Sequence, residues 1–393
     1  MKPNIVRLIA AVIGVWMPQA WGQTTQPARE QERLVSAESV TTKDRGVVRQ
    51  LVRYDFATGK ETVLQRSESR DLPRMAFIDS RGRHLSLRAK QDAANRARRW
   101  VELASPAPGT PKRVFEEWQV EPYWPAAVSP DGRKIVVFQF ERAIAIGDDT
   151  NVHVIPRKWG GVRPFSWSPD SRQVAFYYAP TPFEDDVHIQ QHGVAVLTID
   201  GELRELVKPS EATGTPESTS KDTLVGWGRS QRFVYYTAGV PPDDSARELP
   251  ACRIFHPFLP TATYRVDIET GKSERIGLGE FCCVSPDETY VLLYPSPKPA
   301  KDGSWTVGTA KIDLGTKQVT YLPDAVRRPK ISPSGKLVAC PHREDIRCFR
   351  TADWKLYGTP VLTGWKFGVN VEDWGSKYRW ITVDEDHAPG SAW

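Results

Sequence analysis

A ten-residue string, written seven times, constrains this chain more than any other feature. In register the copies are IDSRGRHLSL (78–87), VSPDGRKIVV (128–137), WSPDSRQVAF (167–176), WGRSQRFVYY (227–236), VSPDETYVLL (284–293), ISPSGKLVAC (331–340) and WGSKYRWITV (374–383). The first position is always Ile, Val or Trp, and the eighth is Leu, Ile or Val. Turn chemistry lies between them. In Ser-Pro-Asp-Gly, Pro presets φ for the second position of a type I turn, Asp suits the third, and Gly takes the left-handed position of a bulged hairpin. The β-branched stretch that follows favours a pleated, buried strand.

A second hairpin alternates with the first. VRYDFATGKETVL (52–64), VAVLTIDGELRELV (194–207), YRVDIETGKSERI (264–276) and AKIDLGTKQVTYL (310–322) read as strand, polar turn, strand, and weaker versions fall near 100–115, 143–155 and 346–357. Two hairpins per unit at a long, regular period predict an all-β chain, a seven-bladed β-propeller with four-stranded antiparallel blades. An open ring would leave strand edges exposed. The reading therefore closes it with the chain's own ends: residues near 46–64 supply the outer strands of the blade whose inner strands lie near 370–384. Residues 46–393 are then the propeller and 23–45 a lead segment.

Residues 1–22 read as a signal peptide. Lys2 and Arg7 are its positive region, Leu8–Trp16 a short apolar run, and Ala20-Trp21-Gly22 a small-x-small cleavage site. The run is too short to span a bilayer, which needs roughly 20 residues, and no later segment is long and apolar enough. The expected product is periplasmic or secreted, with no integral membrane segment after cleavage. Its formal charge, +5 for the whole chain, falls by two with the leader and is too small to imply a polyanion partner.

The turn of Phe165–Phe176, followed by a strand-Asp-x-x-Thr-Gly-Lys hairpin such as Tyr264–Ile276, resembles the propeller repeat of the TolB family, a variant of the WD-type repeat. The resemblance covers nearly all of the chain after residue 22. TolB proteins place an α/β domain before the propeller, and here only the short lead segment stands there. The resemblance therefore implies the propeller alone, not the role of TolB.

Familiar catalytic signatures are missing. TGKS (270–273) lacks the Gly that a phosphate loop needs five residues before Gly271, where Val266 stands in a strand. No GxSxG elbow is present. The turn carboxylates Asp131, Asp170 and Asp287 are replaced by Ser230, Ser334, Lys377 and Arg81 in the other copies, which suits a turn and not a shared metal.

The loops on the other rim are where binding is expected. Loop 179–193 carries His188 and His192, and loop 238–258 carries His256, each among carboxylates. These histidines are the candidate ligands for a divalent metal, set against plain solvated loop charge. Trp118, Tyr123, Trp124, Trp159 and Trp365 are the candidate ligand-binding rings, since flat aromatics stack on sugars or anchor peptides; the competing role is to plug gaps between blades. The Arg-rich stretch 81–100 suggests nucleic acid only in a protein that stays inside the cell, so export argues against it. In VACPHREDIRCF, two strands around a hairpin bring Cys340 opposite Cys348, a predicted disulfide, with Cys252 pairing to Cys282 or Cys283. The function read from these features is an exported binding or scaffold module facing a protein or glycan. The alternative is a metal-assisted polysaccharide lyase or hydrolase on a propeller like that of oligogalacturonate lyases.

Overall fold

The computed structural model describes residues 31–41, 47–69, 75–78, 84–91, 99–104, 113–116, 126–139, 143–148, 150–156, 162–178, 192–209, 225–240, 261–302, 304–342, 345–362 and 378–383. Among them there is no helix; the strands form four-stranded antiparallel sheets. Strands β1 (Gln31–Thr41), β2 (Val47–Asp55) and β3 (Lys60–Ser69) belong to sheet A. Sheet B is β4 (Met75–Ile78), β5 (His84–Gln91), β6 (Arg99–Ala104) and β7 (Arg113–Glu116). Sheet C is β8 (Ala126–Val128), β9 (Ile135–Gln139), β10 (Ala143–Gly147) and β11 (Val152–Pro156). Sheet D is β12 (Val162–Trp167), β13 (Gln173–Tyr178), β14 (Gly193–Thr198) and β15 (Leu203–Val207). Sheet E is β16 (Gly226–Trp227), β17 (Phe233–Gly239), β18 (Thr261–Asp267) and β19 (Ser273–Leu278). Sheet F is β20 (Phe281–Val284), β21 (Tyr290–Pro299), β22 (Trp305–Asp313) and β23 (Val319–Tyr321). Sheet G is β24 (Lys330–Ile331), β25 (Leu337–His342), β26 (Asp345–Arg350) and β27 (Val361–Leu362). The last strand, β28 (Tyr378–Val383), returns to the edge of sheet A beside β1.

Five repeat copies share one register, first position opposite eighth: Val128↔Ile135, Trp167↔Val174, Trp227↔Val234, Val284↔Val291 and Ile331↔Val338. The turns between them have the expected build. Ser129 N–H bonds to Lys134 O and Gly132 N–H to Ser129 O, both at 2.9 Å. The Ser129 hydroxyl donates to Asp131 at 2.5 Å and accepts the Lys134 N–H at 2.9 Å. The left-handed fourth position is not reserved for glycine. Gly132 and Gly335 hold it in two turns, while Ser171, Gln231 and Glu288 adopt φ of 62°, 62° and 54° in the others.

Those non-glycine residues have a use that offsets their backbone strain. Each reaches back to the third residue of the preceding turn. Ser171 Oγ accepts the Asp131 N–H at 3.1 Å. Gln231, its amide nitrogen turned to the Asp170 carboxylate, donates at 2.9 and 3.0 Å. The Glu288 carboxylate accepts from the Ser230 N–H and hydroxyl, and Glu32 of β1 does the same for Ser334, at 2.5 and 2.7 Å. The turns thus bind one another along one end of the sheets.

Tryptophan at the first repeat position also joins neighbouring sheets. The Trp167 indole N–H bonds to Ala127 O at 3.2 Å, that of Trp227 to Ser166 O at 2.8 Å, and that of Trp380 to Lys330 O at 2.9 Å. The reading of the seventh copy put Trp374 at the first position and a turn after it; residues 374–377 lie outside the described residues, and the bond made elsewhere by a first-position tryptophan is made here by Trp380. Trp380 fills that place, β28 is a single strand, and its partner is β1, with Leu34 opposite Trp380. The segment read as a lead, 23–45, therefore contains a sheet strand, and the sheet it enters takes three strands from the N-terminal side and one from the C-terminal side.

The TGKS segment is a turn. Gly271, at φ 69°, bonds its N–H to Asp267 O at 2.8 Å. The Asp267 carboxylate accepts the N–H groups of Glu269 and Thr270 and pairs with Arg232 at 2.7 Å. The Thr270 N–H, then the Arg232 guanidinium, hold its carboxyl down to about 2 against an ordinary 3.8. A depressed carboxyl stabilises the fold above the unfolded value and loses that contribution as pH falls through the folded one. Asp267→Asn is expected to destabilise the protein at neutral pH, with the difference from wild type shrinking between about pH 4 and pH 2. Urea titrations across that range check it; a pH-independent difference would contradict the assignment.

Candidate functional site

The far end of the sheets, opposite the turns, is built differently. Hydroxyls buried between strands stitch sheets D, E and F together. Thr237 N–H donates to Tyr177 Oη at 2.7 Å, Tyr177 Oη–H returns a bond to Thr237 O at 3.1 Å, and Thr237 Oγ1 accepts the Phe281 N–H at 3.0 Å. Burial pushes the Tyr177 hydroxyl well above its ordinary range, so it stays a neutral structural link. From this end emerge the connections between second and third strands. In sheet D that connection is residues 179–192, in sheet E residues 240–260, and in sheet G only residues 343–344.

Sheet F raises its own strands instead of a loop. After a bulge between Leu293 and Ser296, β21 and β22 stay paired out to Pro299↔Trp305. In sheet G the equivalent strand stops at His342. At 3.2–3.4 Å per residue the β21–β22 arm stands roughly 10 Å above that level. The Ala300 N–H to Ser304 O bond, 2.8 Å, sets the arm's ladder phase. By alternation Ser296 and Lys298 turn their backbone groups to β22, and Pro297 and Pro299 turn theirs to the other edge. An edge made of prolines offers no N–H to an incoming strand. The paired positions Pro297–Val307 and Pro299–Trp305 place four apolar side chains on one face, with Val307 39% exposed.

At the neighbouring rim of sheet G, Arg347 grips the Asp345 carboxylate with Nε and Nη2 at 3.1–3.3 Å. His342 lies beside it, Nδ1 3.6 Å from Asp345 Oδ1. That is too long for a hydrogen bond, and this enclosed nitrogen has no hydrogen-bond partner. Between arm and hairpin runs the link 322–329, tied to the arm by the Lys298–Asp324 pair at 2.8 Å. Thr309 Oγ1 on β22 bonds to Val326 O of the same link.

Of the residues singled out in the sequence, Trp118, Tyr123, Trp124, Trp159, Trp365, His188 and His256 lie outside the described residues. So does Cys252. His192 is described, half-buried at the entrance to β14. Among the described residues no three His, Cys, Asp or Glu side chains come together as a metal site. Sequence reasoning missed Trp305 and the arm, although the alternating prolines of YPSPKPAKDGSW (294–305) are a visible sign of a protected edge strand.

The Cys340–Cys348 disulfide is corrected. Both thiols are free, and the register explains it: Cys340 pairs with Arg347, and Cys348 with Ala339. Offset by one residue, the two side chains point to opposite faces of sheet G. Cys348 packs with Leu34 and Trp380 on one face, Cys340 with Leu292 and Val326 on the other. Alkylation of denatured, non-reduced protein is expected to label both; a Cys340–Cys348 cross-linked peptide would contradict the register.

No family model and no curated protein matches the sequence. Solved structures do resemble it, at identities far below 25%, and a likeness of that order is one of fold alone. The tricorn protease aligns with a TM-score of 0.51 and 14% identity, over 85% of this chain and 36% of its own. TolB from Acinetobacter baumannii aligns at 0.37 and 16%, over 84% and 81%. An oligogalacturonate lyase in complex with manganese aligns at 0.46 and 10%, over 84% and 85%. The solved neighbours of this all-β chain thus include TolB and other propeller proteins.

Proposed function

We propose that this chain is an exported propeller of seven four-stranded blades, sealed where β1 pairs with β28, and that it binds a protein or glycan on the rim opposite its repeated turns. The difference between the two ends carries the reading. On the turn rim, side chains are spent on the turns themselves and on the turn before. The other rim has the long connections 179–192 and 240–260 and the raised arm of sheet F, and rigid scaffolds present binding groups on such loops. No helix among the described residues is long and apolar enough to cross a membrane; export rests on residues 1–22.

Alanine at Trp118, Trp124 and Trp159 tests the binding rim. A stacking or anchor ring lost at a hot spot costs about 2 kcal/mol or more of binding, whereas a ring filling a gap between blades costs roughly 3–5 kcal/mol of stability. The expected result, on glycan and peptide arrays beside thermal melts, is weakened binding with the melt little changed. Large destabilisation at all three positions would remove them from the binding face.

A further inference from the structure

We infer that the outer edge of β22 at Trp305 and Val307 takes up an extended segment of a partner protein as an added strand. This rests on the reading of that rim as the binding face and makes the occupant of one part of it a peptide, held through main-chain hydrogen bonds.

The two edges of the arm are opposite in kind. On the β21 side Pro297 and Pro299 hold the edge and have no N–H to offer. On the β22 side the ladder phase is fixed twice. Ser304 O accepts the Ala300 N–H at 2.8 Å, so Ser304, Thr306 and Gly308 turn their main chain inward to β21. On the far side of β22, Thr309 O accepts the Leu322 N–H at 2.9 Å. Val307 and Trp305, alternating with Thr309, therefore turn their N–H and C=O groups outward with it. Among the described residues no strand pairs with them there. β23 covers β22 only from Ala310 to Ile312. Past Leu322 the chain leaves the edge at Pro323, whose carbonyl accepts the Val326 N–H at 2.8 Å in a turn. Leu322 and Val326 are then buried in the core shared with sheet G.

Main-chain donors and acceptors at strand spacing match an extended backbone, and recognition by strand addition uses such an edge. The side chains narrow the occupant. Val307, 39% exposed, and Trp305 share one face of β22, so an added strand gains by setting an apolar residue beside them. Thr306 and Gly308 stand on the other face, where the Lys298 stem lies against Gly308 and its ammonium is engaged by Asp324. A neutral residue suits that side. A second copy of this chain fits less well. Its own β23 and Leu322 already hold its β22 edge from Thr309 on, so pairing about a two-fold axis ends at Trp305 and Val307. A single extended segment brings no such neighbouring strand.

A random linear heptapeptide library, displayed on phage and panned against the full-length protein, tests the inference. The enriched peptides are expected to bind Val307→Pro, which gives this edge the character of the other, at least about tenfold more weakly. The Val307 N–H is outside the β21 ladder, so the melt should stay near wild type. On the unchanged protein, N-methylation of one alternate set of peptide amides should weaken binding by about tenfold or more, with the other set tolerated. Bound peptide should also slow hydrogen exchange at the Val307 and Trp305 amides by about tenfold or more. If Val307→Pro lowers the melt, the N-methyl series and the exchange decide. The inference is overturned if the library yields no binder, if the binders ignore the N-methyl groups or a folded Val307→Pro, or if the wild type dimerises and Val307→Pro does not, which would make the occupant a second copy. Should binders depend on Trp118, Trp124 or Trp159 and leave exchange at Val307 unchanged, the rim reading survives and the edge alone falls.

Discussion

Deleting Gln31–Thr41 is expected to abolish cooperative unfolding, because this strand lies between β2 and β28 and holds sheet A together. β1 is hydrogen-bonded on both sides, to β2 through eight residue pairs and to β28 through six. Its Leu34 is fully buried in a core with Trp380, Tyr54, Phe56 and Cys348, where sheet G meets sheet A. Leu34→Ala alone should cost about 2–5 kcal/mol, a large fraction of the 5–15 kcal/mol that holds a typical domain together. Removing the whole strand also frees an edge of β2 and an edge of β28, both templates for pairing between molecules. Urea denaturation with light scattering reads both effects. A deleted protein that stays monomeric and unfolds with the wild-type midpoint and slope would contradict this role of β1 and remove the support for the proposed closure.

That expectation differs in place from the one drawn from sequence, and the reason is physical. The repeat register is legible because it rests on local chemistry: a short polar turn followed by β-branched or aromatic residues fixes which positions oppose each other, and five copies obey it, while in the first Ile78 stands opposite His84 and Leu85 opposite Phe77. The seventh copy aligns on a Trp-Gly pair alone, and only the bonding of Trp380 to Lys330 O reveals which Trp holds the first position. β1 escapes a sequence reading because QERLVSAESVT has no turn signal leading into it, and one of its two partners, β28, is more than 300 residues away in the sequence. The cysteine pairing fails by one residue. Two residues between strands, or three, both read as a short hairpin, yet a shift of one exchanges the faces of every side chain. In the left-handed turn position, where glycine is the expected residue, Ser171, Gln231 and Glu288 stand instead, because a contact to the next turn over can outweigh a modest backbone cost. The arm of sheet F shows the same limit, since its height is measured only against the hairpin of sheet G beside it.

Trp227→Ala should lower stability by about 3–5 kcal/mol, more than any change confined to the turn rim. The indole is 8% exposed and wedges between sheets D and E with Ala175, Tyr177, Val194 and Val234 around it. Its N–H reaches Ser166 O at 2.8 Å, so the loss has two parts that substitutions can separate. Trp227→Phe keeps most of the apolar volume and leaves the Ser166 carbonyl without this donor, a cost of about 1–3 kcal/mol. Glu288→Ala, which removes only the link to Ser230 on the exposed rim, should cost less, about 1 kcal/mol. Chemical denaturation of the three variants gives the order Trp227→Ala, Trp227→Phe, Glu288→Ala. If Trp227→Ala instead matched Glu288→Ala, the sheets would be held by their turns and not by the tryptophan wedges. The proposed binding rim would then rest on the weaker of its two supports, because Tyr177, which packs with Trp227, is the same residue that ties sheet D to Thr237 at that end.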